Sequence, residues 1–208
     1  MAHTHARTGE RLADQADLVG EALRRVTEAV LGSPAVEVGR ELEAAERAVR
    51  PLFEELEDDV TVVLAVEDAR SQDLRELVAE IHIGGDLRHL ADQARQIGEI
   101  ASARRVRGPF PEELRTPLGG LTDLVVGMVT LAAAALREPS AATVADLHDG
   151  LNAAAQRQRL LYERIIDEGA AVDPADVLDA VLLAACCARC VHHALSAARF
   201  AALFADSP

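Results

Sequence analysis

The 208-residue chain contains no lysine; all 21 of its basic residues are arginine. A P-loop lysine, a Schiff-base lysine and a kinase-type lysine are therefore excluded together. Aromatic residues are almost as scarce, at 2% with no tryptophan and one tyrosine, Tyr162. A β-rich chain draws on Val, Thr and aromatic side chains, whereas alanine and leucine, strong helix formers, dominate here. The composition predicts an all-α protein. Cysteine is limited to three residues within 186–190, which provides no disulfide framework. Residues 1–18 lack the apolar core of a secretory signal. The longest apolar run, 124–136, covers roughly 20 Å as a helix against a hydrocarbon core of about 30 Å, so no membrane insertion is expected. Cationic excess is missing too. The net charge of −14 disfavours nucleic acid, whose binding depends on cationic contacts to phosphate. A cytoplasmic location is expected, and the arginine-only, alanine-rich composition suits a GC-rich, actinobacterium-like genome.

Half of the chain is apolar, which argues against disorder, and its length suffices for one sizeable core or two small ones sharing a surface. Turn signals divide it into six helical segments, expected at 8–31, 34–66, 69–106, 117–137, 140–168 and 173–204. Gly32, Ser33 and Pro34 mark one boundary, and residues 107–111, 138–140 and Gly169 mark others. Asp173, Pro174 and Asp176 carry the cap, first-turn proline and early acid of a helix start. Pro51 should kink the second segment or mark its true start. The acidic run 41–59 reads as a solvated face, or as a docking surface for a basic partner. The run 124–136 is apolar on all sides, so its helix should be central or lie in a dimer interface.

The breaks suggest two halves of three helices. Sliding the chain by 100 residues aligns Asp73 with Asp173, Leu77 with Val177, Ile81 with Val181, Ile83 with Leu183 and Ala94 with Ala194. Residues 17–26 and 123–132 also begin alike. Matches in the same order in both halves argue for a duplicated three-helix unit. The expected organisation is one domain, 1–208, with repeats at about 8–107 and 111–205.

The stretch 186–194, CCARCVHHA, gathers thiols and imidazoles, which are ligands for zinc and other transition metals. A helical wheel tests it. With residue 86 at zero and about 100° per residue, Ile83, Leu87, Leu90, Ala91, Ala94 and Ile97 form one apolar stripe. Arg88 and Asp92 fall on the solvated side. Through the 100-residue offset, Cys187 and Cys190 replace Leu87 and Leu90, and Cys186 stands at the stripe edge. The cysteines should therefore pack inward as small hydrophobes. His192 should face out in the place of Asp92. Cys186, Cys190 and His193 can still share an edge, so a metal-binding or redox-sensing cluster is the alternative. A Cys190–His193 nucleophile pair would need an accessible thiolate, and a ferritin-like centre would need Glu-x-x-His pairs, of which Asp86-x-x-His89 is a single near miss.

Residues 73–101, DLRELVAEIHIGGDLRHLADQARQIGEIA, resemble the signature of PhoU proteins, bacterial phosphate-signalling regulators. Asp73, Leu74 and Arg75 match its opening, and Asp86, Leu87, Asp92 and Ala94 match its later part. Arg189, His193 and Ala194 are what survives in the second copy. The resemblance implies two three-helix repeats in a six-helix bundle and a non-enzymatic adaptor. Such an adaptor couples a phosphate ABC transporter ATPase to a sensor histidine kinase and restrains the phosphate-starvation response, as a homodimer. It also implies metal clusters of iron or zinc on a Glu-x-x-x-Asp pair in each repeat. Here Arg88 with Asp92 and Ala188 with His192 stand in those places, so three of four acidic ligands are lost. No cofactor is expected, and only a weak divalent site at Asp86, His89, Asp92, His192 and His193 remains.

Overall fold

The computed structural model describes residues 2–32, 42–44, 47, 50, 51, 54, 71–168 and 172–205, and among these it is all-α. Five helices have defined bounds: α1 Ala2–Val30, α2 Ser71–Arg107, α3 Glu112–Arg137, α4 Ala141–Glu168 and α5 Pro174–Ala205. The described residues between 42 and 54 are helical as well, Pro51 included. The rest of the 34–66 segment and most of the acidic run 41–59 lie outside the described residues.

The helix ends follow local chemistry. Gly32 and Gly108 take positive φ values of 105° and 90°, a region that costs a Cβ-bearing residue energy. Each closes its helix through its own backbone N–H, Gly32 to Ala29 and Gly108 to Arg104. A Cβ on Gly108 would meet nothing within 4 Å, so Gly108→Ala isolates the backbone term. Urea unfolding should show a loss of about 1–2 kcal/mol, and a neutral result would contradict the left-handed cap. Ser140 accepts the Thr143 N–H on its Oγ at 3.1 Å, and Asp173 accepts the Ala175 N–H at 2.8 Å. Both serve as N-caps.

Two starts differ from expectation, the first being that of α1, which begins at Ala2 rather than 8. α3 begins at Glu112 rather than 117 and continues through Pro117, with Glu112 and Glu113 favouring the positive end of the helix dipole. The resulting 26 residues, whose most apolar window has a mean hydropathy of 1.7, make a helix long and apolar enough to cross a membrane by length and composition. Half of that window is buried inside the bundle, because α3 packs against α1, α4 and α5. Leu118, Leu121, Val125 and Val129 are at most 1% exposed. It is the core helix that its uniform apolarity suggested.

α2 packs on α1 and α5, and α5 packs on α2, α3 and α4. A single core runs through these contacts, including Leu23, Leu87, Leu90, Ile97, Leu121, Leu147, Leu161, Leu183, Cys187 and Cys190. Close approach needs small residues at two crossings. A Cβ on Gly98 would come within 2.8 Å of Leu42 Cδ1, and one on Gly150 within 2.8 Å of Met128 Sδ.

Candidate functional site

The chemistry-bearing residues lie along the antiparallel contact between α2 and α5. The apolar stripe of each helix buries leucine and alanine, and the stripe edges meet as a polar seam. At one end His82 stacks on Phe200 with centroids 4.3 Å apart. Next, His193 Nδ1 is 2.8 Å from Asp86 Oδ1, and the His193 ring stacks on His89 at 4.7 Å. One turn further, Arg189 donates from Nε to Gln93 Oε1 at 2.6 Å and from Nη2 to Gln96 Oε1 at 3.1 Å. Cys186 points its thiol at the same Gln96 oxygen, 3.7 Å away.

The far end of the seam is ionic. Arg104 donates from Nη1 to Asp176 Oδ1 at 2.7 Å and to Asp179 Oδ2 at 3.0 Å. Arg107 adds a bond to Asp179 Oδ2 at 2.5 Å. Arg104 is 4% exposed, and its guanidinium sits 3.6 Å from the centroid of Phe110, a cation–π contact in a desolvated place. This cluster ties the end of α2 and the turn after it to the first turns of α5. Sequence reasoning did not single it out. The signal was there: the wheel places Arg104 at the same edge angle as Asp86, and the offset places Asp176 and Asp179 on the stripe of α5, so a cation at the edge of one stripe has two carboxylates available on the other.

The cysteines point inward. Cys186 is 2% exposed, and Cys187 and Cys190 are fully buried. Burial pushes the Cys187 thiol up to about 12 and the Cys190 thiol well above its ordinary range. Burial also raises Cys186, although the Arg189 guanidinium, 3.4 Å from its Sγ, opposes the shift. Neutral, enclosed thiols are poor nucleophiles and poor metal ligands. The cluster of Cys186, Cys190 and His193 does not assemble, since Cys186 turns to Gln96 while His193 turns to Asp86.

Of the five acidic and imidazole candidates, the structure joins Asp86 to His193, stacks His89 on the His193 ring and leaves the other two elsewhere. His192 is exposed and borders a shallow apolar cleft with Leu121, Leu151, Ala188 and Val191, between α3, α4 and α5. Asp92 is part-exposed on α2 beyond the exposed Arg88. Among the described residues no three His, Cys, Asp or Glu side chains converge on a metal position. At the positions where the resemblance implies paired carboxylates, a guanidinium and a methyl group stand instead. These residues do not fit the implied iron or zinc cluster.

Comparison with known proteins gives a consistent result. Residues 12–101 match the family model described as PhoU domain. Two curated relatives, both named phosphate-specific transport system accessory protein PhoU homolog 2, come from Mycobacterium bovis and Mycobacterium tuberculosis. Each is 24% identical over 190 residues, covering 91% of this chain and 89% of the relative. The crystal structure of PhoU from Pseudomonas aeruginosa superposes with a TM-score of 0.85 at 14% identity, over 99% of both chains.

Proposed function

From the premise that this chain is a divergent member of the PhoU family, we propose that it regulates phosphate transport by binding partner proteins rather than by catalysis. The observation that carries this reading is the similarity to PhoU homolog 2 over 91% of the chain together with the matched PhoU domain. In finer detail, the protein is a cytoplasmic homodimer that couples the ATPase of a phosphate ABC transporter to a sensor histidine kinase and restrains the starvation response. A non-enzymatic role is supported by the state of the candidate nucleophiles, which are buried and held neutral.

The two halves, about 8–107 and 111–205, act in this reading as repeats. Two features of the packing support it. The contact of α1 with α2 has its counterpart in the contact of α3 with α5, while α1 meets α3 and α2 meets α5. Under the 100-residue offset the pair His89–His193 becomes Arg189–Gln93, which is itself a contact of the seam.

Affinity capture from cells grown at high and at low phosphate tests the adaptor role. Recovery of a phosphate-transporter ATPase and a histidine kinase is expected, with the yield changing between the two conditions. Deleting the gene should raise starvation-reporter expression severalfold at high phosphate. Capture of neither protein, with an unchanged reporter, would overturn the reading.

A further inference from the structure

The outer groove between α4 and α5 joins an apolar floor to cations that no described carboxylate neutralises. On α4, Ala155, Arg159 and Ile166 recur at helical spacing along one exposed edge. On α5 the facing edge carries the half-buried Ala185 and Ala188, then the exposed His192 and Arg199. Two contacts fix the register: Gln158 donates to the Ala184 carbonyl at 3.3 Å, and Arg199 donates to His148 Nδ1 at 3.4 Å. Ala155, Ala188 and His192 also line the apolar cleft, which holds about 60 Å³, room for roughly four water-sized atoms. Near the end of α4, Ile166 is 79% exposed. The charge of this groove runs against that of the chain, which is −14. Arg25, Arg95 and Arg137, exposed elsewhere, are neutralised by Glu21, by Glu99 and by Asp14 with Asp17. Arg159 and Arg199 have no such partner among the described residues, and Glu163, four residues beyond Arg159, does not pair with it. Under the 100-residue offset, Asp92 and Glu99 of α2 stand in the places of His192 and Arg199. The first half therefore has acid where this groove has base.

Resting on the reading that this chain acts by binding partner proteins, we propose that the α4–α5 groove docks an acidic amphipathic helix of such a partner. One aliphatic side chain of that helix seats in the cleft beside His192, and its carboxylates meet Arg159 and Arg199. An apolar stripe laid in a groove between two helices is a recurring mode of helix recognition. From His148 to Ile166, α4 rises about 27 Å, which suits a partner helix of about 18 residues. Ala185 and Ala188 leave room for that helix to approach to about 8–10 Å between axes. Burial of Ile166 and of the seated side chain supplies affinity, while the unneutralised guanidiniums choose the sign of the partner. Elsewhere the net-negative chain repels an acidic helix, so the groove also decides where it lands.

Fluorescence anisotropy of a labelled synthetic helical peptide, with leucines on one stripe and glutamates on both flanks, tests the assignment on the full chain. A second peptide carries lysine in place of every glutamate. The acidic peptide should bind at least about tenfold more tightly than the lysine peptide. Arg159→Glu and Arg199→Glu should each weaken the acidic peptide about tenfold, and the double variant should reverse the preference. Ala188→Trp fills the cleft and should weaken both peptides about tenfold, whereas Arg95→Glu, on α2, should change neither. Circular dichroism of each variant separates loss of binding from loss of the fold. No binding of the acidic peptide, equal binding of the lysine peptide, or indifference to both arginine reversals would overturn the proposal. Capture from cells forms the second arm: the double variant should lose the transporter ATPase or the kinase that the parent chain recovers. Equal capture by parent and variant would overturn the groove and leave the adaptor role standing. Capture of neither by the parent, with the peptide preference as expected, would support the groove and overturn the adaptor role.

Discussion

At pH 8 the Cys187 thiol should react with a soluble disulfide reagent about a thousandfold more slowly in the folded protein than in the unfolded chain. Its pKa is raised from 9.0 to about 12 by burial, so the thiolate fraction at that pH falls by about three powers of ten. Cys190 is enclosed to the same degree and should be at least as slow. Cys186, whose shift Arg189 opposes, should be the first to react. All three should titrate promptly in guanidinium. Fast native reaction of Cys187 or Cys190 would mean that the helix face is wrongly placed, and would revive a redox role.

The same shift fixes the sign of a pH dependence. A thiol whose folded pKa lies above its unfolded value contributes fully below the unfolded pKa. That contribution is lost as the pH rises toward the folded one. Between about pH 9 and pH 12 the unfolded chain releases the Cys187 proton and the folded chain keeps it, so stability should decline by about 1.4 kcal/mol per pH unit from this group. A Cys187→Ala variant should flatten that decline, and urea midpoints across the alkaline range would show it.

Arg104→Met should cost about 3 kcal/mol of unfolding free energy, which for a chain of this size is a fall of roughly 6–12 °C in Tm. The substitution keeps an unbranched apolar stem but leaves Asp176 and Asp179 without their main cation, in a place where Asp179 is 7% exposed. It also removes the guanidinium from the face of Phe110. Arg107 still reaches Asp179, which keeps the loss below that of stranding a lone charge. Adding Asp179→Leu should recover part of it, because a matched apolar pair avoids the desolvation penalty of the ions. A change within about 0.5 kcal/mol for Arg104→Met would show that water already solvates the cluster.

Much of the fold was legible in the residues themselves. Ser140 and Asp173 cap the helices that their side-chain chemistry announces. Gly32 and Gly108 end helices at positive φ. The stripe of Leu87, Leu90, Ala94 and Ile97 is buried as its period requires, and the cysteines that replace its leucines on α5 are buried with it. The site was legible only in part. Asp86 and His193 were both candidates and do meet, while Asp92 and His192 were grouped with them but lie elsewhere. The wheel had already set those two on outward faces, and facing outward does not bring two side chains to one point.

What the sequence by itself determined was therefore everything carried by near neighbours in the chain: helix class, helix ends, which face is apolar, and the inward direction of the thiols. These depend on rotation per residue and on hydrogen bonds a few positions long. The tertiary structure alone decided that His193 meets Asp86 across 107 positions and that Arg104 meets Asp176 across 72. Periodicity fixes the angle of a side chain around its own helix but not the height at which a second helix slides past it. That height is set by how leucines, alanines and glycines interlock over the whole bundle, a sum of many small contacts that no single residue announces.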